Sequence, residues 1–224
     1  MATSYTGRIP RQAGALRRAY RLMRAHFGHL HWWPGETPFE VCVGAILTQN
    51  TAWSNVERAI ANLKAARVLE PGKLFALSEP QLAALIRPAG YFNVKARRLR
   101  SFLRVLVEEF GGELERLFAG ETPAVRERLL AIHGIGPETA DSMLLYAGGH
   151  HRFVIDAYTR RIFHRHGWSR GDAGYEELQR LCESVRSVSE CRHADRSRRG
   201  VDWRAWQRPA ARDGCVQNRR GFVH

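Results

Sequence analysis

Lysine is nearly missing from this 224-residue chain: Lys64, Lys73 and Lys95 stand against 32 arginines. No apolar run approaches the length needed to span a bilayer, and the opening MATSYTGRIPRQAG lacks the apolar core of a signal peptide. The expectation is a cytoplasmic protein that does not enter membranes. Cysteine is scarce too, with Cys42, Cys182, Cys191 and Cys215 alone. In a reducing compartment these are expected reduced, buried or metal-bound, not paired in disulfides. No segment alternates apolar and polar residues at period two, which excludes a β architecture and leaves an all-α fold.

The last 41 residues, 184–224, lack leucine, isoleucine, methionine and tyrosine altogether while holding ten arginines. Without long aliphatic side chains such a segment buries too little apolar area to offset its ordering entropy. It reads as a basic disordered tail, or as off-frame translation of a GC-rich gene, and the residue mixture favours the second. The division expected is therefore 1–183 as one folded unit of two helical lobes, followed by this tail.

The net charge of +13 favours a polyanionic partner, of which nucleic acid is the commonest. An arginine-rich, GC-biased coding sequence would give the same excess on a solvated surface, so charge leaves both open. Within 10–183 the helices are well marked. RQAGALRRAYRLMRAHFG has apolar residues at three- and four-residue spacing and stops at Gly28. TPFEVCVGAILTQN opens on a Thr-Pro start, and SEPQLAALIRPAG on a Ser cap with Pro inside. YFNVKARRLRSFLRVLVEEFGG forms one long amphipathic helix with a basic first half. DAYTRRIFHRHGW and YEELQRLCESV close the series.

The stretch LLAIHGIGPETADSMLLY, centred on a hairpin at 129–148, is helix, Gly-Ile-Gly turn, helix. Its glycines, Gly134 and Gly136, allow backbone conformations closed to other residues and close approach of a partner. Ile135 should pin the turn to the core. Pro137 starts the second helix, whose free N–H groups and dipole make an anion site suited to a DNA phosphate. Thr139 lies in the same first turn. About 20 residues on, RFVIDAYTRRIF sets a lone carboxylate, Asp156, among apolar and basic residues. Alone, Asp156 reads as a helix cap.

Four segments in order, ILTQNT, GYFNVKARRL, AIHGIGPETA and VIDAYTRRI, resemble those of the helix-hairpin-helix (HhH-GPD) DNA glycosylases of the endonuclease III superfamily. The resemblance runs from about residue 38 to 168. It implies a two-lobed all-α fold with a central cleft, double-stranded DNA with a damaged base as partner, and a monomer. It makes Asp156 the catalytic carboxylate, beside the anomeric carbon of a flipped nucleotide. Gln49 becomes the side chain that fills the vacated stack, with Asn50 and Thr51 alongside, and Lys95, Arg97 and Arg98 become backbone contacts. Where bifunctional members carry the lyase lysine, two residues past the second glycine, this chain has Glu138, and a carboxylate forms no imine.

The pattern Trp32-Trp33-Pro34, with Trp53 four residues after Gln49, is closest to the 3-methyladenine DNA glycosylase III-like subgroup. Stacking of a cationic alkylated purine on aromatic faces fits that pattern. The implied activity is monofunctional removal of an alkylated purine in base excision repair. The alternatives are an endonuclease III-like glycosylase/lyase for oxidised pyrimidines and a catalytically decayed DNA-binding protein. Many relatives hold a 4Fe-4S cluster on four cysteines with six, two and five residues between them. Here eight residues separate Cys182 from Cys191 and 23 separate Cys191 from Cys215, so no cluster and no other cofactor is expected. His26, His29 and His31, and the pair His164 and His166, complete no metal set.

Overall fold

The computed structural model describes residues 11–28 and 33–185. Trp32, His29, His31, Cys191, Cys215 and the tail from residue 186 lie outside the described residues. All regular structure among the described residues is helical: α1 (Arg11–Phe27), α2 (Pro38–Leu47), α3 (Trp53–Ala65), α4 (Pro71–Ala76), α5 (Glu79–Leu85), α6 (Phe92–Arg104), α7 (Leu114–Leu117), α8 (Thr122–Leu130), α9 (Pro137–Tyr146), α10 (Ala157–Arg165) and α11 (Tyr175–Ser184).

Local chemistry sets the helix ends. Gly28 takes φ +68 and stops α1. The Thr37 hydroxyl accepts from Glu40 N at 3.1 Å, and Pro38 follows it. Ser78 and Gln81 close a reciprocal capping box at the start of α5. The long helix expected from residue 91 onward is α6 running into a π-helical turn, Val105–Glu109. Helices α4 and α7 were not foreseen, because six and four residues cannot display a helical period.

Two apolar cores result. The larger is drawn from α2 through α9, with α2 at its centre: every α2 residue after Pro38 is buried. The smaller gathers Ile155, Phe163, Ala173, Leu178 and Cys182, with Leu16 and Trp168 against them. The first helix therefore packs with the last two, and Arg17 Nε donates to Val185 O at 2.9 Å. Cys42 sits in the first core and Cys182 in the second; both are free thiols whose pKa burial raises. They do not fit a shared cluster, and no group of His, Cys, Asp and Glu among the described residues is arranged to hold a metal. No helix among those residues is long and apolar enough to cross a membrane.

Candidate active site

Asp156 caps α10. Its Oδ1 accepts from both the Thr159 N–H and the Thr159 hydroxyl, each at 2.7 Å. Both bonds fall on one oxygen, so the cap fixes the carboxylate while Oδ2 has no donor among the described residues. Glu138, on the first turn of α9, lies close enough for the Asp156 charge to act on it. Partial burial first, and then that charge, push the Glu138 carboxyl above its usual range, against the opposing pull of Arg160. Tyr146, at the other end of α9, is raised by burial and then by Asp156, so its phenol stays protonated. The Asp156 charge thus acts on a residue at each end of the hairpin's second helix. Nothing in the local pattern marks Tyr146 beyond its being an aromatic near a helix end.

The hairpin turn is pinned to the core through Ile135, as expected. Ile135 is 5% exposed and joins the larger core, which stabilises the turn by roughly 1.5–3 kcal/mol. Gly134 takes φ +87, and a Cβ there would stand 2.2 Å from Arg98 Cγ. Only glycine fits. Gly136 differs: its φ is −94, and a Cβ would meet nothing within 4 Å. Its backbone needs no glycine, so what remains for it is close approach of a partner. No side chain caps α9, which leaves its amino end available to an anion.

Gln49 and Thr139 do not project outward. The Gln49 amide donates to Gly134 O at 3.0 Å and to Thr139 Oγ1 at 2.9 Å, and accepts from Arg98 Nη1. The two residues fasten the loop after α2 to the hairpin. Lys95 corrects the sequence reading more sharply. Expected among the DNA-backbone contacts, it is 1% exposed, and its ammonium donates to Leu47 O at 2.8 Å and Ala89 O at 2.7 Å. The reason is its place on the inner face of α6, between the end of α2 and the turn before α6. Arg97, two residues on, is exposed and keeps the expected role open.

The Lys95 clamp draws together two loop tips that each carry a left-handed non-glycine residue: Asn50 (φ 53) after α2 and Tyr91 (φ 44) before α6. Tyr91 is 72% exposed. Bulky residues rarely hold this conformation on a surface without use, and nothing in the local sequence announced it.

Burial, and then the Arg98 charge, lower the Lys95 pKa from 10.5 to about 8. Between those values the unfolded chain binds more protons than the folded one, so the Lys95 contribution to stability rises with pH across that window. Denaturant unfolding of the wild type and Lys95→Met should show the difference between them moving in the wild type's favour from pH 8 to 10.5. A difference constant with pH would contradict the burial of this amine.

Three of the four expected base-pocket residues come together. Trp33, Pro34 and Trp53 line a cavity of about 180 Å³ with Glu57 and Lys64. Trp33 meets Trp53 edge to face at 5.5 Å and Tyr146 at 5.1 Å and 31°. Asp156 is not part of the cavity lining; Tyr146 is the link, with its ring on Trp33 and its hydroxyl in the field of Asp156. Lys64 beside the cavity is no candidate nucleophile. Burial lowers its pKa, but hydrogen bonds and charge from Glu36 and Glu40 outweigh this and keep it protonated.

Residues 43–187 match the family described as HhH-GPD superfamily base excision DNA repair protein. A putative DNA repair glycosylase of Methanocaldococcus jannaschii is 48% identical over 165 residues, which cover 73% of this chain and 75% of that protein. Endonuclease III of Thermotoga maritima is 31% identical over 132 residues, covering 58% and 57% of the two chains. Among solved structures, the Helicobacter pylori 3-methyladenine DNA glycosylase bound to 1,N6-ethenoadenine is 31% identical. It superposes with a TM-score of 0.68 over 82% of this chain and 84% of that one.

Proposed function

Since the chain belongs to the HhH-GPD superfamily of base excision DNA repair proteins, we propose that it is a DNA glycosylase that hydrolyses the N-glycosidic bond of a damaged base and leaves the sugar–phosphate chain intact. The observation that carries this reading is the Asp156 carboxylate, held through Oδ1 by Thr159 while Oδ2 has no donor among the described residues, its charge acting on Glu138 and Tyr146 of the hairpin's second helix.

The target base must leave the stack to expose its C1′ atom. The amino end of α9 grips a phosphate, and arginines such as Arg97 and Arg98 add positive potential. Tyr91 is the better filler of the vacated stack. It already stands exposed on its tip, whereas Gln49 would have to give up three hydrogen bonds. As the C1′–N bond breaks, its electron pair leaves with the base and positive charge grows on the sugar. The Asp156 carboxylate stabilises that charge and orients a water, whose oxygen bonds to C1′ while its proton passes to the carboxylate and then to solvent.

An alkylated purine is the lesion class we favour. Its base is already cationic, so it leaves without a protonating acid and suits an aromatic wall flanked by carboxylates; each cation–π contact adds about 1–2 kcal/mol. The likeness to the Helicobacter pylori enzyme supports this choice. A second reading, glycosylase/lyase action on oxidised pyrimidines, is favoured by the identity to Thermotoga maritima endonuclease III. It needs an amine, and Lys64, Lys73 and Lys95 are committed to Glu36 and Glu40, to Glu70, and to two carbonyls. Duplexes carrying 3-methyladenine, uracil, thymine glycol or 8-oxoguanine separate these readings. Release of 3-methyladenine alone is expected, and release of thymine glycol with strand scission would establish the second.

A further inference from the structure

Asp141, on the middle turn of α9, is fully buried, and no part of the reaction above uses it. Five donor contacts converge on its carboxylate. Arg126 of α8 donates Nε to Oδ1 at 2.8 Å and Nη2 to Oδ2 at 3.2 Å. Arg152 donates Nε to Oδ1 at 3.3 Å. From α11, the Tyr175 hydroxyl and the Gln179 amide donate to Oδ2 at 2.9 and 2.8 Å. A buried carboxylate with this many donors is costly to desolvate and strongly penalised if any partner is lost.

The same α11 side chains hold the extended segment that leads into Asp156. The second N–H of the Gln179 amide donates to Phe153 O at 2.7 Å, and its oxygen accepts from Arg152. The Tyr175 hydroxyl accepts from Ile155 N at 3.4 Å. Glu183 accepts from Phe153 N at 3.2 Å and from Arg152 Nη1 at 3.3 Å. Residues 153–155 have no helix or strand to satisfy their backbone, so side chains of α11 do it instead. Tyr175 and Gln179 are aimed by Asp141, and Asp156 is the next residue along.

We propose that Asp141 is a positioning residue: it registers the phosphate-gripping hairpin against the Asp156 carboxylate, acting through Tyr175 and Gln179. The proposal rests on the glycosylase reading for its chemical consequence, but its structural half stands apart. Burial and the Asp141 charge raise the Tyr175 pKa and keep that hydroxyl a donor. Both the grip and the carboxylate then belong to one rigid unit, in which an ångström of slack at C1′ would cost up to about 100-fold in rate.

The test uses the full chain and two variants. Asp141→Asn removes the charge that Arg126 and Arg152 share, leaving them Glu176 and Glu183; Tyr175→Phe removes one hydroxyl and keeps every ion pair. Hydrogen exchange of both is measured beside single-turnover base release and duplex affinity. Tyr175→Phe is expected to speed exchange of the Phe153–Thr159 amides while α2 and α6 keep their protection. Base release should fall about ten-fold or more with affinity unchanged within two-fold. Asp141→Asn, where it folds, should do the same more strongly. Exchange that is unchanged at 153–159, or faster everywhere alike, overturns the positioning role. A wild type that releases no base from any lesion duplex would defeat the glycosylase reading, while the exchange pattern would still decide whether Asp141 holds the Asp156 segment.

Discussion

Asp156→Asn is expected to lower single-turnover base release by about 100- to 1,000-fold, the scale seen when one preorganised electrostatic contact to a transition state is removed. The substitution separates the two roles of this residue. Asparagine is as good a helix cap as aspartate, so the bonds from the Thr159 N–H and hydroxyl to Oδ1 can persist and α10 should keep its start. What is lost is a full negative charge at Oδ2. Duplex binding should hold or tighten slightly, because one carboxylate fewer faces the phosphates. Thermal unfolding of the variant should match the wild type. Near-wild-type base release in a well-folded Asp156→Asn would mean the carboxylate is only a cap.

Glu138→Lys is expected to create what the wild type lacks, an adduct with damaged duplex that borohydride traps. The position is on the first turn of α9, near enough to Asp156 for that charge to act on it. An amine there would attack C1′ as the base departs, giving an iminium that borohydride, the added reductant, converts to a stable amine. Partial burial favours the neutral, nucleophilic amine, while the Asp156 charge opposes it. Gel electrophoresis after reduction should show a band at the mass of protein plus strand for the variant and none for the wild type. A wild-type adduct would point to another amine. A variant that still releases base but leaves no adduct would place residue 138 away from C1′.

Much of the fold was legible because it depends on neighbours in sequence. The Thr37–Pro38 start, the Ser78 cap, the stop at Gly28 and the Gly134-Ile135 turn each need only a few residues to be read. Asp156 as the cap of α10 was legible for the same reason. Lys95 was misread because its partners, Leu47 O and Ala89 O, lie on other elements, and an amphipathic pattern cannot tell a buried lysine from one at the edge of a polar face. Gly136 was over-read, since a glycine in a motif does not disclose its φ. Tyr146 and Asp141 were passed over because their significance comes from residues ten to 113 positions away. The pairing of α1 with α11 is likewise long-range. Local propensity carries no record of it.

The most direct measurement is the position of the Asp156 carboxylate in a complex with duplex DNA bearing a damaged purine on a 2′-fluoro sugar, which resists cleavage. Oδ2 is expected within roughly 3.5 Å of the C1′ atom or of a water in line with it, with the base against Trp33 and Tyr146. A damaged nucleotide seated elsewhere, with the Asp156 carboxylate turned to bulk solvent, would contradict the assignment.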